Sequence, residues 1–86
     1  MNFDEEDDAL LKRITRNPEI FGGKPIVRGR RLAVEHVLGM LIGGSTTERI
    51  LEHYDWLEIE DVQACLLYAQ RLVAKDHDQS RVAAAH

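Results

Sequence analysis

One cysteine, Cys65, is all that the 86 residues hold, so no intrachain disulfide braces the fold. That usage fits a reducing cytosol. Prolines number two and aromatic side chains only 6% of the residues, so the core has few large anchors. No apolar run approaches the roughly 20 residues needed to cross a bilayer. The opening stretch MNFDEEDDALLKR lacks the basic-then-apolar order of a signal peptide. Histidines are equally uninformative. His36, His53, His77 and His86 form no pair at helical spacing, and Cys65 is remote from them, so no metal site is expected. Gly22-Gly23-Lys24 hints at a phosphate loop, but Pro25 follows where a serine or threonine should open a helix.

Positive charge is scarce over most of the chain and concentrated in one place. Residues 12–31, KRITRNPEIFGGKPIVRGRR, carry seven of the eleven basic side chains and a single acid, Glu19. The formal charge of that segment is +6, against a net −4 for the whole chain. A short basic segment on an acidic protein is the part most able to meet a polyanion or an acidic partner.

The segment also reads as a ribbon. Ile14-Thr15 and Ile26-Val27 are β-branched, and Asn17-Pro18, Gly22-Gly23 and Gly29 supply turns around them. Pro25 belongs at a strand start or on an edge. The expectation is a two-stranded β element over 13–16 and 26–28 with an open edge, a feature that invites pairing with another chain.

The flanking sequence is helical in pattern. The acidic block 4–8 precedes Ala9, Leu10 and Leu11, which predicts a short helix over 4–12 with its acids at the positive end of the dipole. Val34, Val37, Leu38, Leu41 and Ile42 give the stripe of a helix over 33–42, stopped by Gly43-Gly44. Ser45 and Glu48 have the spacing of a capping box for a helix running to about 54, which offers Ile50, Leu51 and Tyr54 to the core. A third stripe, Val62, Cys65, Leu66, Ala69, Leu72 and Val73, predicts a helix over 59–75. Glu58, Glu60 and Asp61 crowd its first turn. Residues 76–86 read as a frayed extension or tail.

Three helices with short connections are the skeleton of a helix-turn-helix. The last helix would then meet the major groove with Glu58, Glu60, Asp61 and Gln63, and only Gln63 is a natural reader of bases. The basic ribbon is the better polyanion surface, through Arg16, Lys24, Arg28, Arg30 and Arg31. Ser45 serves as a cap, Cys65 sits on an apolar stripe and no tuned acid/base pair stands out, so no catalytic residue is expected. Trp56 reads as a side chain docked on the core or set at an interface.

Several features recur in a fixed order along the chain. A Pro18 turn comes first, then Gly22-Gly23 before Lys24-Pro25, and Gly29 before an arginine and an apolar residue. Val34, a helix start at Gly44-Ser45, Glu48-Arg49-Ile50-Leu51, a Tyr54 turn and Glu60-Asp61-Val62 follow. In this order they resemble the bacterial and archaeal domain-of-unknown-function family 433, over about residues 13–69. The resemblance implies a mainly α fold, a trihelical helix-turn-helix-like bundle with a short N-terminal two-stranded β element. It also implies a link to antitoxins of the VapB type, which some members resemble. Such proteins are encoded beside a PIN-like ribonuclease toxin, bind it, and bind their own promoter as dimers. Two positions depart from the family pattern: Arg30 and Glu58 stand where threonine is usual.

These readings set the expectations. The chain divides into an acidic segment (1–12), a helix-turn-helix-like domain (13–75) and a tail (76–86). Its function is that of a cytoplasmic antitoxin-like or regulatory module, probing DNA with Arg16, Lys24, Arg28, Arg30, Arg31 and Gln63. Ile14, Ile26, Trp56 and Leu72 would contact a partner or a second copy. Partners would be a homodimer mate, a PIN-like toxin and own-promoter DNA, with no cofactor, metal, membrane or small-molecule substrate. The alternative is a protein-interaction adaptor that never touches nucleic acid.

Overall fold

A computed structural model describes the backbone of residues 3–79 and the side chains of 5–75. Helix α1 spans Phe3–Leu11, and strands β1 (Ile14–Thr15) and β2 (Ile26–Val27) follow, with a 3-10 turn at Phe21–Gly23 between them. Helices α2 (Val34–Ile42), α3 (Thr47–His53) and α4 (Ile59–Gln79) complete the chain. The fold is mainly helical with a small antiparallel sheet, as the periodicities predict. The helix–turn–helix order of α2, α3 and α4 matches the expected trihelical unit, and α1 is a fourth helix laid along α4.

β1 and β2 pair Ile14 with Val27 and Thr15 with Ile26. The second edge of β2 is not open. Ile26 bridges Ala33, the Val27 N–H donates to the Leu32 carbonyl at 3.0 Å, and the Val34 N–H donates to the Pro25 carbonyl at 3.0 Å. Residues 32–33 fold back and cover that edge. Ile26 is therefore fully buried in the core and presents nothing to a partner, a correction to its expected place on an exposed ribbon.

The core gathers Val27, Leu32, Val34, Val37, Ile50, Leu57, Val62 and Cys65, with Leu38, Leu51, Tyr54, Trp56 and Tyr68 packed on it. Cys65 is wholly buried, and that burial, aided by the charge of Asp61, pushes its thiol up to about 12. It behaves as a small apolar side chain. Leu66, Leu72 and Val73, expected on the same stripe, are instead exposed, as is Ile42. The apolar sector of α4 is wider than the bundle it packs against, and the helix reaches beyond residue 75 to Gln79. At 21 residues it is about 30 Å long.

Two helix ends show how local chemistry fixes the connections. α2 ends in a Schellman motif. Gly44 takes φ +99° while its N–H donates to the Leu41 carbonyl and the Ser45 N–H to that of Met40. α3 is capped by Thr46, whose Oγ1 accepts from the Arg49 N–H at 3.1 Å. The cap therefore sits one residue later than the capping-box spacing of Ser45 and Glu48 predicts, because Ser45 is already engaged in closing α2. Among the described residues no helix is long and apolar enough to cross a membrane.

Candidate functional site

Immediately after β2 the chain reverses in a tight turn. Arg28 has φ +46° and Gly29 φ +71°, and the Arg30 N–H donates to the Val27 carbonyl at 2.9 Å, the pattern of a type I′ turn. Glycine takes such a φ freely, whereas an arginine does so only against a steric cost. Three sets of bonds hold Arg28 there. Its N–H donates to the Arg13 carbonyl at 2.7 Å, the Gly29 N–H donates to Thr15 Oγ1 at 2.9 Å, and its guanidinium is clamped.

Asp61 is the clamp. Its carboxylate is fully buried. Arg28 Nε donates to Oδ1 at 2.9 Å and Arg28 Nη2 to Oδ2 at 2.7 Å, a two-pronged contact. Arg13 Nη1 adds a bond to Oδ1 at 3.0 Å, and the Glu58 N–H adds one to Oδ2 at 2.9 Å. Each oxygen thus accepts two bonds, which uses all the acceptor capacity of a carboxylate. Arg13 also reaches Glu58 Oε1 at 2.7 Å. Two guanidinium groups and two carboxylates make the cluster formally neutral. Burial by itself would raise the Asp61 carboxyl. The Arg28 contact, the Glu58 N–H and Arg13 outweigh it and hold the group below the ordinary carboxylate range. Arg28 is correspondingly raised, chiefly by Asp61, and Arg13 by Glu58 and then Asp61.

The clamp orders the residues beside it. Arg28 Nη2 also donates to the Trp56 carbonyl at 2.9 Å. The Trp56 ring has the Arg28 guanidinium 5.5 Å and the Arg30 guanidinium 4.4 Å from its centroid, within cation–π range. Tyr54 meets the same ring edge-on at 6.4 Å. Arg30 and Arg31 are exposed, and neither has a carboxylate partner among the described residues.

The expected DNA contacts do not gather on one surface. Arg28 faces inward to Asp61. Lys24 pairs with Glu35 at 3.2 Å. Arg16, at the other end of the ribbon, donates to the Gly23 carbonyl and to the Tyr68 hydroxyl at 2.9 and 2.7 Å. Gln63 lines a cleft of about 350 Å³ between α1 and α4, in the company of Glu6, Leu10 and Glu60. Only Arg30 and Arg31 remain together and uncompensated. Of the expected partner contacts, Ile14 and Trp56 are half-buried against the core, Ile26 is inaccessible and Leu72 is exposed on α4. Asp61 and Glu58 are the residues that sequence reasoning missed. The three-residue spacing from Glu58 to Asp61 was the available signal, because a side chain at that offset bonds back to the helix-starting N–H. Among the described residues no group of three or more His, Cys, Asp or Glu side chains is placed to hold a metal ion. The side chains of His77 and His86 lie outside the described residues.

The family model described as "Protein of unknown function (DUF433)" matches residues 14–69, a span that includes the turn, Trp56 and Asp61. The chain belongs to the DUF433 family. A curated relative, the uncharacterized protein y4eO of Sinorhizobium fredii (strain NBRC 101917 / NGR234), is 37% identical over 66 residues, which is 74% of this chain. The match spans only 30% of that relative's length. The crystal structure of a DUF433 member protein from Anabaena variabilis ATCC 29413 superposes with a TM-score of 0.68 at 21% identity. It covers 92% of this chain and 84% of the other. At that identity the likeness establishes a shared DUF433 fold.

Proposed function

We propose that this DUF433 chain is a non-catalytic, antitoxin-like regulatory module that grips a protein partner through the corner made by Arg30, Arg31 and Trp56. The observation that carries this reading is the stacking of an otherwise unpaired Arg30 on Trp56, beside an Arg28 that is fixed internally. Tryptophan and arginine dominate protein-binding hot spots. A guanidinium already held over an indole loses less conformational freedom on binding than a free one. Two uncompensated guanidinium groups fit an acidic cluster, of the kind a PIN-like ribonuclease toxin carries. The internal pairing of Arg13, Arg28 and Lys24 removes much of the positive charge that a ribbon in a DNA groove would need.

Coexpression with the product of the neighbouring reading frame tests the proposal. The two proteins are expected to co-purify, and Arg30→Ala with Trp56→Ala to weaken the complex at least about tenfold, roughly 1.4 kcal/mol. Failure to co-purify, or indifference to the double substitution, overturns it. Own-promoter DNA is the second reading, favoured by Arg16, Arg30 and Arg31, which have no carboxylate partner among the described residues. It predicts retardation of the upstream DNA at low salt. The slope of log affinity against log salt would be about −3 per chain, as about −0.9 per phosphate contact implies. No retardation at low salt removes that reading.

A further inference from the structure

The turn that joins α2 to α3 borders a cavity that the recognition corner does not use. Met40, Ser45, Arg49, Ile50 and His53 line about 180 Å³ of space there. The Schellman closure of α2 ties the Ser45 N–H to the Met40 carbonyl at 2.9 Å, which holds both residues at one wall. Thr46 caps α3, so the Ser45 hydroxyl is free of that task. Arg49 and His53 stand four residues apart, about one turn of α3, and share a flank of the helix. The cavity runs along that flank rather than over the helix end. Buried Ile50 and half-buried Met40 supply its apolar wall. Among the described residues, its three polar side chains are not spent elsewhere. Arg49 has no carboxylate partner, and the Ser45 hydroxyl has no hydrogen-bond partner. The His53 ring makes only an edge contact with Tyr54, at 5.3 Å.

We propose that Arg49, His53 and Ser45 bind the phosphate group of a small phosphomonoester in this cavity. No carboxylate lines it. A guanidinium offers a phosphate two parallel N–H donors, and an imidazole N–H and a hydroxyl add one each. These donors come from three positions of the chain. They suit the tetrahedral oxygens of a phosphate better than the two coplanar oxygens of a carboxylate. The apolar wall keeps water from one side and strengthens the charge contact. Beyond Ser45 and Arg49 lies a second hollow of about 340 Å³, bordered by Gly43, Gly44 and Thr46, with room for the ester's organic group. Surrounding charge selects a small ligand over a polyanion. Glu48, Glu52 and Asp55 are exposed on α3 and just past it, and none of them lines the cavity. They would repel the neighbouring phosphates of a nucleic-acid strand, whereas a single phosphate meets Arg49 directly. The site uses none of Arg30, Arg31 or Trp56, so it stands or falls apart from the recognition corner.

Nuclear magnetic resonance of the nitrogen-labelled full chain, titrated with glycerol 3-phosphate, tests the site. The amides of Ser45, Arg49 and His53 are expected to shift together and to saturate, with a midpoint of about 1 mM or below. Arg49→Gln is expected to raise that midpoint at least about tenfold, as loss of a charge-assisted fork implies. Arg49 is exposed, so the melting temperature should stay close to wild type. Ser45→Ala, which leaves the Thr46 cap in place, is expected to raise the midpoint about threefold. Shifts that fail to saturate and are matched by sodium chloride at equal ionic strength overturn the proposal. So does a midpoint indifferent to Arg49→Gln, or saturating shifts at Arg30, Arg31 and Trp56 instead. A short DNA duplex that moves the same three amides at a lower phosphate concentration would assign the cavity to a nucleic-acid backbone and overturn the small ligand.

Discussion

Asp61 decides more than any other single residue. It lies at no surface, yet it fixes Arg13, Arg28 and the start of α4 at once. Asp61→Asn keeps the shape but removes the charge and half of the acceptor capacity. Breaking a buried pair from one side costs about 3–5 kcal/mol. Here the Arg13 and Arg28 side chains are 28% and 34% exposed, so water relieves part of their loss. The expected cost is therefore about 2–4 kcal/mol, read from urea unfolding at neutral pH. Acid acts in the same direction. The folded Asp61 carboxyl titrates below its unfolded value of about 3.9, so its contribution is complete above about pH 4 and fades as pH falls through the lower, folded value. Wild type is expected to lose stability more steeply than Asp61→Asn below about pH 4; equal slopes would show that the charge contributes nothing. Beyond the three-residue spacing from Glu58 to Asp61, none of this was legible in sequence. The partners of Asp61 lie 33 and 48 residues away, and three clustered acids look alike before the helix face is known.

The elements themselves were largely legible, because helical stripes and turn formers are local signals. α2 followed from Val34, Val37 and Leu38, and its end from Gly43-Gly44. The ribbon followed from two β-branched pairs. What failed was resolution at the ends and depth of burial. Ser45 and Thr46 are adjacent hydroxyl residues with the same capping chemistry, and only the backbone tells them apart. Thr46→Ala is expected to cost about 1 kcal/mol and Ser45→Ala a few tenths, measured by thermal melts. An equal effect at both positions would contradict the observed cap. The exposure of Leu66 and Val73 was hidden for a different reason: periodicity marks an apolar sector but not how much of it neighbouring elements cover.

At the scale of the molecule, segregation in the sequence became compensation in space. The +6 stretch and the acids that balance it meet where the ribbon faces the starts of α4 and α2, at Asp61, Glu58 and Glu35. The block 4–8, the obvious counterweight in sequence, sends Asp7 to Arg71 instead. Among the described side chains, α1 contributes no fully buried residue to the core, which runs from Ile26 to Cys65. Deleting residues 1–11 is therefore expected to leave a cooperative fold while lowering its stability by about 1–3 kcal/mol, the worth of two half-buried leucines, Leu10 and Leu11. Loss of the cooperative melt would show instead that α1 is integral to the domain.

The left-handed twist at Arg28 has a consequence for how this protein tolerates change. One reversal of the chain both locks a guanidinium onto a hidden carboxylate and delivers the next arginine, Arg30, onto an indole. Scaffold and fingertip are cut from the same four residues. If Arg30 and Trp56 grip a partner as proposed, a substitution that relaxes the bend would blunt that grip without altering any side chain that touches the partner, and a screen for binding defects would return scaffold positions among its strongest hits.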